Sequence, residues 1–213
     1  MSIKKCVALF SGTGSNLENL LNQQDELKHK LKYVHAFTNN YDAGGINVCK
    51  KYKLPVSIGK KENINKDLES FLSNINPDLI ILSGYMKIVP PYIVDNYVGK
   101  IINLHPSLLP KYPGLNTYEK VISNNDKYHG ATVHFVTKVL DQGPIILQGK
   151  FSVNEKMTRR DLEKLTHKAE YSIFPVAVEW FANDLLKYNG NNIILKNENI
   201  RSPITYMINL NEL

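Results

Sequence analysis

"KKCVALFSGTGSNLENLL", residues 4–21, decides the fold class. Its first seven positions are mostly apolar, as in a buried strand. A Gly-Thr-Gly turn follows, and then Leu17, Leu20 and Leu21 recur at helical spacing. Strand, glycine turn and helix in that order open a parallel α/β sheet. Such a turn places free backbone N–H groups and the positive end of the helix at the carboxyl edge of the sheet, a natural seat for a phosphate. It is not a dinucleotide fingerprint, because the third glycine of that pattern would fall at Leu17, and no Gly-Lys-Ser/Thr follows to make a Walker loop. It suits a mononucleotide or sugar phosphate. The plain alternative is a tight turn with Ser15 or Asn16 as helix N-cap.

The alternation continues outward from this stretch. "LKYVHAFT" and "LPVSI" read as strands on either side of a short helix at "GGINVCKKY". "NKDLESFLSNI" is an amphipathic helix, and "PDLIILSG" is the continuous apolar run of a buried parallel strand. "PPYIVDNY" predicts a helix whose prolines fall in its first turn, leading to a strand at "GKIINL". Beyond the proline-stiffened "NLHPSLLPKYPG" come a helix at "TYEKVISNND" and two strands, "GATVHFV" and "GPIILQGKFSV", joined by "TKVLDQ" in an antiparallel pair. A long helix is expected from about Thr158 to Ala182, interrupted or bent near Pro175, and the tail "NNIILKNENIRSPITYMINL" suggests a short hairpin. The expected architecture is a Rossmann-like three-layer α/β fold. Its sheet is mostly parallel, with an antiparallel strand or hairpin at the C-terminal side. Without repeats, low-complexity tracts or a linker, residues 1–213 read as one domain.

Composition narrows the class. The chain has 213 residues, 43% hydrophobic and 22% charged, which suits a packed core and neither disorder nor a coiled coil. No apolar run approaches the roughly 18 residues of a membrane span, and the short apolar run after Lys4 and Lys5 is too brief for a secretory signal. Cys6 and Cys49 lie in expected regular elements without metal or redox spacing, so they read as reduced packing residues of a cytoplasmic protein. The net charge of +6 is scattered rather than gathered into a stripe, which favours small anionic substrates over nucleic acid or membrane. No sustained apolar stripe announces an interface, leaving monomer or homodimer open.

The chemistry gathers around Asn103 and His105. They follow an apolar strand at its expected carboxyl end, where open α/β sheets bind ligands, and their spacing of two puts both on one side of an extended backbone. Asn can donate to a carbonyl oxygen, and His can donate or move a proton near neutral pH. Thr132 and His134 repeat the spacing on another strand, and Asp141 sits in a loop between Leu140 and Gly143, an apolar setting that suits proton transfer. The bland readings are a satisfied histidine, an Asn before a turn and an Asp-Gln-Gly hairpin. No nucleophile elbow and no metal-ligand spacing is present. The set suits direct attack of one substrate on another, with the protein stabilising an oxyanion and moving a proton.

Five blocks, "SGTGSNLENLL", "PDLIILSGYMKIV", "NLHPSLLPKYPGLNTY", "HGATVHFV" and "LDQGPIILQ", in this order between residue 4 and about 182, resemble the folate-dependent phosphoribosylglycinamide formyltransferases of purine biosynthesis. The resemblance implies transfer of a formyl group from 10-formyltetrahydrofolate, a cosubstrate, to the amine of glycinamide ribonucleotide, without a metal. By motif position it implies Asn103, His105 and Asp141 as the catalytic trio; in a mechanism built on them, Thr132 would orient a water and His134 would support the site. It implies Gly14, Ser15 and Asn16 as the phosphate turn, with His167 and Glu170 also on the ribonucleotide. It implies Lys61, the segment Met86, Lys87, Ile88 and Val89, and the segment Thr137, Lys138, Val139, Leu140 and Asp141 as folate contacts, Asn103 included. A formyltetrahydrofolate deformylase would use the same trio with water as acceptor, and a non-catalytic nucleotide-binding module could share the fold. Methionyl-tRNA formyltransferases carry an additional C-terminal domain for which this chain has no room.

Overall fold

The computed structural model describes residues 2–190, 192–200 and 202–209. Strands β1 (Lys4–Phe10), β2 (Leu31–Thr38), β3 (Val56–Ile58), β4 (Leu79–Leu82), β5 (Ile101–His105), β6 (Tyr128–Phe135) and β7 (Ile145–Ser152) join β11 (Ile204–Met207) in one eight-stranded sheet of order β11-β7-β6-β5-β4-β1-β2-β3. The strands from β1 to β5 pair in parallel, and β6 alone runs against its neighbours. The expected antiparallel pair is therefore β6–β7. The hairpin expected in the tail is β9 (Ile193–Leu195) with β10 (Glu198–Ile200), to which β8 (Leu186–Tyr188) adds a third strand in a separate sheet. β11 was not expected. It lies parallel to β7 with Ile204 opposite Leu147.

Alternation along the central strands divides the core in two. Cys6, Ala8 and Phe10 of β1 and Ile102 and Leu104 of β5 pack beneath α1 (Ser15–Asn22) and α7 (Arg159–Ala182). Val7 and Leu9 of β1 and Ile80 and Leu82 of β4 pack beneath α4 (Ile64–Ile75) and α5 (Pro91–Asn96). The three layers follow from strands buried on both faces. The remaining helices are the single turn α2 (Gln24–Leu27), α3 (Gly45–Lys51) and α6 (Thr117–Ser123). Cys6 and Cys49 are buried free thiols, and no helix among the described residues is long and apolar enough to cross a membrane.

The interruption expected near Pro175 is absent, and α7 runs unbroken from Arg159 to Ala182. Pro175 lies inside the helix and has no N–H for the carbonyl of Tyr171 four residues earlier. Asn19 of α1 donates its side-chain amide to that carbonyl at 3.0 Å, so the bond that α7 lacks is replaced by one to α1. Thr158 caps the other end with a capping box, its hydroxyl accepting from the Asp161 amide at 3.3 Å while Asp161 accepts from the Thr158 amide.

Asn19→Ala should cost about 1 kcal/mol of stability by urea unfolding, and less in a Pro175→Ala background, where the restored amide can serve Tyr171. Two histidines of β6 set a second expectation. Burial lowers both His129 and His134 from 6.5 to about 4. Below pH 6.5 the unfolded chain takes up protons at these rings that the folded chain refuses until pH approaches 4, so stability falls as pH drops through that window. The loss should reach about 2 kcal/mol per histidine by pH 5, and His129→Gln should give a shallower fall in urea midpoint between pH 7 and 5.

Candidate active site

β1 feeds β2 on one side while β4 lies on its other side, so the carboxyl ends of β1 and β4 flank a switch in strand order, where α/β sheets hold ligands. A cavity of about 590 Å³ opens there, lined by the turn after β1, the segment after β4, the end of β5 and the β6–β7 loop.

The turn after β1 is shaped by glycine. Gly14 is the N-cap of α1 at φ 80, and neither Ser15 nor Asn16 caps the helix as the plain reading would have it. A Cβ on Gly14 would stand 2.5 Å from the Cα of Gly45, and Gly45 donates to the Gly12 carbonyl at 3.1 Å. Asn16 turns instead to α7, donating to Glu170 at 2.8 Å, and His167 Nδ1 donates to the same carboxylate oxygen at 2.8 Å. Glu170 is 5% exposed, and its bond raises the pKa of His167. Gly14, Ser15, Asn16, His167 and Glu170 thus come together at one end of the cavity. Tyr118, Glu119 and Arg159 join them there, with Arg159 Nε on Glu119 Oε1 at 2.8 Å. These three carry no motif and were missed in the sequence.

At the centre, Asn103 and His105 occupy the last turn of the pleat of β5 and stand opposite His134 and Thr132 of β6. Hydrogen positions follow from the carbonyls present. The Phe135 carbonyl, 2.9 Å from His134 Nδ1, requires the proton on that nitrogen. His134 Nε2 is then an acceptor, and since burial keeps the ring neutral, Asn103 Nδ2 donates to it at 3.1 Å. One amide hydrogen of Asn103 remains for a ligand. His105 Nε2 donates to the Tyr112 carbonyl at 2.9 Å, which turns Nδ1 toward Asp141 Oδ2 at 3.4 Å. Asp141 adopts φ 53, accepts from the Gly114 amide at 2.8 Å, and places Oδ1 3.7 Å from His134 Nε2. The Asn, the His and the Asp therefore meet in a nearly dry corner, with His105 and Asp141 side chains each 7% exposed.

Thr132 does not reach the cavity. Its fully buried hydroxyl donates to the Ser107 carbonyl at 2.6 Å and accepts from the Leu109 amide at 3.1 Å and from Gln148 at 3.0 Å. The expectation that it orients a water gives way to a role in pinning the proline loop, because no hydrogen of that hydroxyl is left over. At the other end, Met86, Lys87, Ile88 and Val89 face Thr137, Lys138, Val139 and Leu140 across the cavity mouth. Met86, Ile88, Val139 and Leu140 are exposed by half or more, an apolar rim suited to flat rings. Lys138 pairs with Asp95 of α5 at 3.0 Å. Lys61 is not part of this lining; it stands exposed in the turn before α4. Among the described residues no cluster of His, Cys, Asp or Glu could hold a metal.

Residues 4–178 match the family described as formyl transferase. The phosphoribosylglycinamide formyltransferases of Haemophilus influenzae and Escherichia coli are each 36% identical to this chain, over 89% and 87% of it and 92% and 90% of their own lengths. Among solved structures, the phosphoribosylglycinamide formyltransferase of Coxiella burnetii superposes with a TM-score of 0.88 at 31% identity, covering 96% of this chain and all of its own. That of Anaplasma phagocytophilum gives 0.87 at 29% identity, over 97% and 98%. With the parallel sheet, the cavity at its switch point and the matched span of the family in agreement, the chain belongs to the formyl transferase family and, within it, to the phosphoribosylglycinamide formyltransferases.

Proposed function

We propose that this cavity transfers the formyl group of 10-formyltetrahydrofolate to the amine of 5-phosphoribosylglycinamide, a step of purine biosynthesis carried out in the cytoplasm by one domain spanning residues 1–213. The observation that carries the reading is the ordered corner of Asn103, His105 and Asp141, which has a free amide hydrogen, a ring nitrogen facing a carboxylate and little exposure to solvent. The glycine turn beside Asn16, His167 and Glu170 takes the phosphate and ribose, and the rim from Met86 to Val89 and from Thr137 to Leu140 takes the folate rings. Lys87 and Lys138 belong to the same rim, a favourable setting for an anionic ligand group.

The residues present support direct transfer. The neutral amine attacks the formyl carbon, a C–N bond forms, and the carbonyl oxygen becomes an oxyanion. Asn103 donates its remaining amide hydrogen to that oxygen, and His105 donates from Nδ1, its Nε2 being committed to Tyr112. Asp141, 3.4 Å from that ring, receives the proton the amine gives up, directly or through water. When the tetrahedral centre collapses, the bond to the folate nitrogen breaks and that nitrogen takes up a proton, which balances the one lost by the amine. The products are the formylated ribonucleotide and tetrahydrofolate.

Absorbance of the released folate, with and without the ribonucleotide, tests the reading. Release that depends on the ribonucleotide is expected, whereas release without it would make the protein a hydrolase. Asn103→Ala and His105→Ala should each lower kcat by about 10²- to 10³-fold with ribonucleotide Kd changed little; near-normal turnover would overturn the assignment. Glu170→Ala, which frees both Asn16 and His167, should raise KM for the ribonucleotide about tenfold and leave KM for the folate unchanged.

A further inference from the structure

Asp126 lies outside the cavity, in the turn between α6 and β6, and takes no part in the chemistry above. Its carboxylate is nevertheless largely covered, with 11% of the side chain exposed. Both oxygens are engaged by consecutive residues of the proline loop: Oδ1 accepts from Lys111 Nζ at 2.8 Å, and Oδ2 accepts from the Tyr112 hydroxyl at 2.8 Å. Asn124 donates to the same hydroxyl at 2.9 Å. Burial alone would raise the Asp126 carboxyl, but the bonds from Lys111 and Tyr112 outweigh it and hold it below the usual carboxylate range, so it is ionised at neutral pH.

On its inner side the same dipeptide meets the catalytic corner. The Lys111 carbonyl accepts from the Ser107 hydroxyl at 2.7 Å, and the Tyr112 carbonyl accepts from His105 Nε2 at 2.9 Å. Tyr112 holds φ 58, a left-handed conformation that a bulky residue adopts only when its surroundings impose it. Its side chain is fixed by Asp126 and its carbonyl fixes the histidine. A rotation of this peptide would take the acceptor away from Nε2 and let the ring swing.

We propose that Asp126 is a positioning residue for His105, holding the Tyr112 carbonyl in place from outside so that Nε2 stays protonated and Nδ1 faces the cavity. The proposal rests on the reading of His105 as the oxyanion donor, but its test does not need turnover. The full chain is labelled with ¹⁵N-histidine, and the His105 ring resonances are identified by their absence in His105→Gln. In Asp126→Ala and in Tyr112→Phe, the His105 nitrogen shifts should leave their wild-type positions. kcat should fall about tenfold or more while KM for both substrates stays within about threefold. Asp126→Asn, which keeps an oxygen for Tyr112, should recover part of both. The Asp126→Ala, Tyr112→Phe double variant should be no worse than Asp126→Ala, because the two changes cut one connection. Unmoved His105 resonances in either variant would overturn the proposal whatever the rates do, and if Asp126→Ala fails to fold, Tyr112→Phe decides alone. Silence in the wild-type assay with mobile resonances in the variants would instead indict the proposed reaction and leave the connection standing.

Discussion

Asn103 faces His134 across the β5–β6 ladder, and His105 faces Thr132 two residues on. Everything else in the corner depends on that register. Because side chains alternate along a strand, a slip of one residue would send both polar groups into the apolar layer beneath α1 and α7, where Ile102 and Leu104 now sit. The reversal of β6 supplies the pairing. An antiparallel neighbour sets its side chains directly opposite those of β5, so the partner of Asn103 is fixed by the ladder and not by a flexible loop. A strand that could have been one more parallel member of the sheet is thus given over to setting His134 opposite Asn103 and Thr132 opposite His105.

The corner also has an ordered polarity. Phe135 dictates the proton on His134, His134 dictates the orientation of the Asn103 amide, and Tyr112 dictates which nitrogen of His105 turns inward. Each dictating group is a backbone carbonyl or a ring kept neutral by burial, so none can change role when a ligand arrives. A dry site gains from such fixity, since donors that need not reorient lose nothing at the moment charge develops. Asp141, at the only left-handed non-glycine position of its loop among the described residues, adds a charge within 4 Å of both rings.

Most of this architecture could be read from residue order, and the exceptions share a cause. The strand, glycine turn and helix at residues 4–21, the parallel alternation and the antiparallel pair all rest on local periodicity, and the structure has them. Asn103, His105 and Asp141 also come together, as strand ends, the apolar loop around Asp141 and the family's motif positions led one to expect. β11 was missed because its pairing with β7 spans a long separation and its four residues, ITYM, have no pattern of their own. The cap at Gly14, which the plain alternative put at Ser15 or Asn16, packs against Gly45, thirty-one places along the chain and invisible to a local rule. Thr132 was given a water because a hydroxyl beside a histidine invites one; Ser107, Leu109 and Gln148 had already taken its valence. Tyr112 was passed over because it acts through a carbonyl that every residue has.

The contact between Gly14 and Gly45 has a consequence for how a ligand is received. Two backbones touch there with no side chain between them, and the Gly45 amide is bonded to Gly12. The turn is therefore wedged against the start of α3 and cannot flex without shifting that helix. A ligand docking on this turn would find it already ordered, so association would lose no free energy to the ordering of a loop. Selectivity at this end is then a matter of shape and charge alone: a socket that cannot adapt rewards the one group that fits it and has nothing to offer a larger one.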